Sequence, residues 1–210
     1  MTNWNTVSSL ATGGGTLVLA LATFAAVRSA NRAARAAERS LLAGLRPLLV
    51  PSRLEDSEQK VFFQGGKYLR VGGGRLVAQD QDGDLLMAAS LRNAGAGLAV
   101  LHGWRFYPRD MRGDDRPGPA DFTNQARDLY VPPGDTGFWQ GAFREPGTPA
   151  YDVAYQAVKD GEVLTVDLLY GDHEGGQRVI TRFVARRSNA DGVYINSATH
   201  HWNVDRPDPR

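Results

Sequence analysis

Asp172, His173 and Glu174 stand side by side, and carboxylates beside an imidazole are the usual groups for metal ligation or acid–base transfer. Three consecutive residues at a hairpin tip point in different directions, however, and a metal site normally draws its ligands from several elements. Turn chemistry accounts for Asp172 and Gly175 with no ligand, and it is the preferred reading. His200 and His201 form a second pair, next to Trp202, and read as surface residues beside a docking aromatic. Asp80-Gln-Asp-Gly-Asp84 opens like a calcium loop, which needs Gly at its sixth position and a carboxylate at its twelfth. Here Gly83 falls fourth and Leu91 twelfth, so that pattern fails. Gly72-Gly-Gly74 lacks the Gly-Lys-Ser/Thr continuation of a phosphate loop. His102 alternates with core residues and reads as a partly buried, hydrogen-bonded histidine. No nucleophile elbow, His-Glu-x-x-His or Walker pattern occurs, so neither a catalytic residue, a metal nor a cofactor is expected.

The remaining chemistry is aromatic. Trp104, Phe106, Tyr107, Phe138, Trp139 and Phe143 fall on alternating segments. Such rings build a core, or an interface patch if several share an exposed face. Core is the preferred role for each.

The elements that position these residues are short and alternate every two residues, the pattern of half-buried strands. Asp84–Arg92 presents Leu85, Met87, Ala89 and Leu91 on one face. Leu98–Tyr107 presents Leu98, Val100, His102, Trp104 and Phe106. Asn93-Ala-Gly-Ala-Gly97 between them is turn chemistry. Further strands are expected at Leu48–Val50, Lys60–Gln64, Tyr68–Val71, Ala126–Val131 and Gly137–Phe143. Leu164–Tyr170 and Arg178–Ala185 flank Gly171–Gly176 as a hairpin. One helix interrupts them. Thr148 caps it, Pro149 starts it, Tyr151, Ala154, Tyr155 and Val158 share a face, and Gly161 ends it. Arg109–Asp121 reads as a loop. The fold class is mainly β: an antiparallel immunoglobulin-like sandwich with one short helix.

The chain opens differently. Thr6–Val27 carries no ionisable side chain and matches the roughly 20 residues of a membrane span. Arg28, Arg32, Arg35 and Arg39 follow on one helical face, separated by alanines. No charge precedes the apolar run, which argues against a cleaved signal peptide. The expected organisation is a short external tail (1–5), a transmembrane helix (6–27), an arginine-rich helix (28–44), a sandwich domain (45–195) and a tail (196–210). The positive-inside bias places the domain in the cytoplasm of a bacterial cell, with the four arginines against the lipid bilayer surface. Small residues four apart, Ser9 with Gly13 and Ala11 with Gly15, offer a self-association face for a homo-oligomer.

Net charge is +1, and five arginines against Glu38 within residues 28–46 supply +4, leaving about −3 elsewhere. A mildly acidic domain argues against nucleic acid as a partner. The absence of cysteine excludes disulfides and thiolate metal sites. The richness in Ala, Gly and Arg fits a GC-rich coding bias.

Arg46-Pro-Leu-Leu-Val50, Leu91-Arg-Asn-Ala-Gly-Ala-Gly-Leu-Ala99 and Leu169-Tyr-Gly-Asp-His-Glu-Gly175 together resemble a loose group of uncharacterised bacterial proteins. These pair an N-terminal membrane helix with a small immunoglobulin-like domain. The resemblance assigns Arg46 and Pro47 to the first strand's entry. It places Asn93, Gly95, Gly97 and Ala99 in an inter-strand turn, and Tyr170, Asp172 and Gly175 in a late hairpin. It implies architecture and no activity. The functional expectation is a membrane-anchored, non-enzymatic interaction or scaffolding module with a protein partner of unknown identity. The alternatives are a ligand-binding or enzymatic domain using Asp172, His173 and Glu174, with His200, and an exported domain.

Overall fold

The computed structural model describes residues 4–111, 115–127 and 129–208, with side chains from Gly14 onward except that of Ala43. The side chains of Ser9, Ala11 and Gly13, residues 112–114 of the expected loop, and residues 209–210 of the expected tail lie outside that set. The chain divides into two compact units, 1–44 and 45–210.

The first unit is one helix, α1 (Trp4–Gly44). Alanines at most positions between the arginines favour it, and Pro47 forbids its continuation. Arg28, Arg32, Arg35 and Arg39 are exposed, as are Leu17, Leu21, Phe24 and Val27. Among the described residues no helix is long and apolar enough to cross a membrane. This corrects the expected span at 6–27, together with the membrane localisation and the orientation built on it. The physical reason is that an uncharged stretch is not an apolar one. The strongly apolar part is Leu17–Val27, about 16 Å of helix against a hydrocarbon core of about 30 Å.

The second unit is β-rich. Its strands are β1 (Leu49–Pro51), β2 (Gln59–Phe62), β3 (Tyr68–Val71), β4 (Arg75–Gln81), β5 (Asp84–Asn93), β6 (Ala99–Tyr107), β7 (Thr123–Asn124), β8 (Tyr130–Val131), β9 (Thr136–Phe143), β10 (Leu164–Gly171), β11 (Val179–Arg187) and β12 (Val193–Asn203). Ten of them form one antiparallel sheet in the order β1-β5-β4-β12-β11-β10-β6-β7, with β9 paired to β5 and β8 to β6; β2 and β3 form a separate ribbon. The sheet curls. Trp104 on β6 and Trp139 on β9 meet edge to face at 5.6 Å, and Trp104 meets Phe143 at 5.7 Å. The main core therefore fills the inside of the curl, with Leu76, Met87, Leu91, Val166, Leu168, Tyr170 and Phe183 among its members. Each large apolar side chain buried there contributes about 1.5–3 kcal/mol.

Three coverings complete the packing. The β2–β3 ribbon sets Val61, Phe63, Leu69 and Val71 against Val77, Leu86 and Ala88. Helix α2 (Pro149–Asp160) sets Tyr151 and Ala154 against Leu85, Phe106 and Phe143. Thr148 caps its start by accepting the Tyr151 N–H, and Gly161 ends it at φ 69°. Phe122 and Val204 pack on Leu169, Ile180 and Trp202 on the opposite outer face.

Two local features depart from simple alternation. Asp82 (φ 54°) and Gly83 (φ 81°) make the two-residue turn joining β4 and β5, which converts the failed calcium pattern into a hairpin. Within β6 the partner of Leu169 is Gly103 and that of Tyr170 is Leu101, so His102 is the extra residue of a bulge. The bulge reverses parity: Ala99 and Leu101 join Trp104 in the core, while His102 is exposed. The expected face with His102 beside Leu98 and Val100 is corrected accordingly. Strand β12 runs through Asn203, past the expected domain end at 195.

Candidate functional site

The acid–imidazole candidates do not meet in one cavity. Asp172 is 1 % exposed and accepts bonds from the Gly176 N–H at 2.9 Å and Gln177 Nε2 at 3.0 Å, which makes it the organiser of its own turn. His173 and Glu174 sit exposed at the tip, 3.3 Å apart. His200 stacks on Trp202 at 5.1 Å, whereas His201 turns Nδ1 inward to Thr181 at 2.8 Å. Neighbouring residues of one strand thus serve opposite faces. Among the described residues no three His, Asp or Glu side chains gather as a metal-holding group.

What does converge is the set of turn residues around the start of β1. The Arg46 carbonyl accepts from Ala96 and Gly97, and the Leu48 carbonyl accepts from Ala94 at 2.7 Å. Asn93 uses every polar atom of its amide. Oδ1 accepts from the Leu48 and Gly95 N–H groups, and Nδ2 donates to the Gly97 and Val131 carbonyls. A Cβ at Gly97 would collide with the Leu45 carbonyl, and one at Gly95 with that of Arg46, so both positions require glycine.

Tyr170 completes this clamp from the far strand. Its hydroxyl oxygen accepts the Leu49 N–H at 3.0 Å and lies 2.8 Å from Thr181 Oγ1. Tyr170 and Thr181 share one hydrogen bond in which either hydroxyl can donate, and the direction of the Thr181–His201 Nδ1 bond follows the His201 tautomer. Burial pushes the Tyr170 phenol up to about 12. His201 remains partly exposed, and partial desolvation first, then the Arg46 guanidinium and His200, holds its imidazole below its ordinary value.

Arg182 and Asp167, both fully buried, form a bidentate pair at 2.8 and 2.7 Å on the outer face of β10 and β11. The guanidinium lies 4.9 Å from the Trp202 ring and 5.6 Å from the Tyr107 ring, and Nη2 also reaches the Asp115 carbonyl. This pair fastens the segment after β6 over the sheet through the Asp115 carbonyl.

Among the described residues, two sizeable clefts of the β unit carry charged linings. One of about 520 Å³ lies between α2 and β4, lined by Asp80, Leu85, Tyr155, Val158, Lys159 and Arg187. Its charged groups serve the scaffold. Asp80 accepts from Tyr151 and the Gly83 N–H, Arg187 pairs with Asp191 beside Gly161, and Lys159 complements the helix dipole at the last turn. The other, of about 460 Å³, runs along β3 and is lined by Gly66, Lys67, Tyr68, Arg70, Gln79 and Gln81.

Beside this second cleft lies an exposed aromatic pair, made by residues outside the six rings singled out from the sequence. Trp104 and Trp139 are core, Phe106, Phe138 and Phe143 pack on it, and Tyr107 lies against the Arg105 guanidinium. Phe62 is 57 % exposed and Tyr68 38 %, their rings 5.9 Å apart, with Lys60 Nζ 4.8 Å from the Tyr68 ring centre. The alternation of Lys60 and Phe62 with Val61 and Phe63 carried the signal, but with apolar residues on both faces it did not say which face is outside.

No protein-family model, curated protein or solved structure matches this chain.

Proposed function

We propose that the β unit is a non-enzymatic interaction module that meets its partner through the outer face of the β2–β3 ribbon. The observation that carries this reading is the exposed Phe62–Tyr68 pair with Lys60 on the tyrosine ring. These exposed aromatics in mutual contact stand apart from Trp104, Trp139, Phe106 and Phe143, which pack in or against the core, and aromatic and basic groups dominate interface hot spots. The scaffold suits this role. Val61, Phe63, Leu69 and Val71 on the inner side fix the ribbon to the sheet, so the outer rings are presented on a rigid support. An immunoglobulin-like sandwich is the finer description we propose for the curled sheet. The turn motifs support it, as do strands that face each other across one core.

The double variant Phe62→Ala/Tyr68→Ala tests the reading by affinity purification of the full-length protein from the cells that make it. A partner recovered in stoichiometric amount with the parent chain is lost with the variant, while the thermal transition stays within a few degrees. An unchanged recovery contradicts the proposal.

A further inference from the structure

We propose that the partner is an extended acidic segment that adds as a strand to the free edge of β3. The inference rests on the reading of the ribbon as the interaction face and specifies the chemistry that it recognises.

The argument starts from register. Strands β2 and β3 pair Lys60 with Arg70, Val61 with Leu69 and Phe62 with Tyr68. The turn closes with the Phe63 N–H donating to the Lys67 carbonyl at 2.8 Å. In an antiparallel ladder the bonded pairs recur every second residue, so Val61–Leu69 and Gln59–Val71 carry the inter-strand bonds. Tyr68 and Arg70 therefore direct their backbone N–H and C=O groups away from β2. Strand β3 pairs with no other strand among the described residues. Gln81 Nε2 donates to the Tyr68 carbonyl at 3.0 Å, and among the described residues the Tyr68 N–H and both Arg70 backbone groups have no strand partner on this edge, beside the cleft that Tyr68 and Arg70 line. Unsatisfied strand edges are templates for strand addition.

Charge selects what is added. Lys60 and Arg70 are direct cross-strand neighbours on the outward face, and like charges so placed repel. Arg70 is relieved by Glu58 at 3.2 Å, and Lys67 shares Asp84 with Arg144. Among the described residues Lys60 meets the Tyr68 ring and no carboxylate. The rim thus carries Lys60, Lys67, Arg70 and Arg144 against Glu58 and Asp84. A carboxylate lying between Lys60 and Arg70 relieves that repulsion, and a ring on the same face of the added strand meets Phe62 and Tyr68.

The probe is a fluorescein-labelled decapeptide in which Glu alternates with Thr around a central Tyr, titrated with the full-length protein by anisotropy at low and physiological salt. Saturable binding is expected, weakened about tenfold or more when Lys replaces each Glu, and by a similar factor in Lys60→Glu/Arg70→Glu. Arg70→Pro removes an N–H that β2 does not use and also abolishes binding. Hydrogen exchange at the Tyr68 and Arg70 amides slows in the complex, a readout independent of any variant's folding. Absence of saturable binding, equal affinity for the acidic and basic peptides, or unchanged exchange at those amides overturns strand addition. Partner recovery that depends on Phe62 while the peptide fails to bind leaves the interaction face standing and removes this inference alone.

Discussion

Two buried asparagines divide the residue scale between them. Asn93 satisfies every polar atom on four backbone groups, whereas both amide atoms of Asn196, 5 % exposed, find no partner. Asn196 faces Leu76, Leu91, Val166, Leu168 and Phe183, next to the equally unpartnered Trp139 Nε1. Asn93→Ala strands buried backbone donors and acceptors and is expected to cost about 3 kcal/mol in urea unfolding. Asn196→Leu has the opposite sign. It replaces an unsatisfied amide with a shape-matched apolar group and is expected to stabilise by about 1–2 kcal/mol. A destabilised Asn196→Leu protein would refute the assignment of that amide as unsatisfied. Sequence reading identified Asn93, Gly95 and Gly97 as turn residues because turn chemistry is local. Their purpose was not legible, because Leu48 and Leu49 are held by residues 45 and 121 positions away.

At the scale of elements, α2 was readable from end to end: its cap, first-turn proline, apolar face and terminal glycine all lie within fourteen residues. Thr148→Ala is expected to lower stability by about 1 kcal/mol through loss of the cap. Gly97→Ala is expected to lower it more, since the added methyl forces the Leu45 backbone to move; calorimetry of the two variants side by side checks the order. The strand carrying Leu85, Met87, Ala89 and Leu91 in β5 was equally plain, although its other face, with Leu86 and Ala88, is buried as well. The β6 bulge was not, because an inserted residue leaves composition unchanged while reversing which side faces inward. Nor was β12, whose Thr199-His-His201 run carries no apolar alternation. The apolar character of α1 was overread: serines, threonines and glycines lengthen an uncharged segment without making it oily.

For the whole molecule, the separation into two units predicts that residues 45–210 unfold cooperatively without residues 1–44, since every residue of the four hydrophobic clusters lies beyond Gly44. Two histidines whose rings remain partly open to solvent add a small pH dependence. Partial desolvation and Arg178 hold His102 below its ordinary value of 6.5, with Asp172 opposing them, and partial desolvation with Arg46 and His200 does the same for His201. Below pH 6.5 the unfolded chain takes up protons that the folded chain refuses, so stability is complete above about pH 7 and declines as pH falls. The decline levels off once the pH passes below the folded-state values. Urea midpoints between pH 5 and 7.5 record this, and His201→Asn, whose amide can hydrogen-bond Thr181 in either sense without titrating, makes the slope shallower. A midpoint that rises on acidification would contradict the lowered proton affinity of the two imidazoles.

The account turns on the outward ribbon face, and photo-crosslinking from that face tests it most directly. A benzophenone amino acid at position 62, compared with one at the equally exposed Val153 on α2, should give a discrete adduct from 62 alone, competed away by the acidic decapeptide. Adducts of equal yield from both positions, or none from 62 in the cells that make the protein, would contradict it.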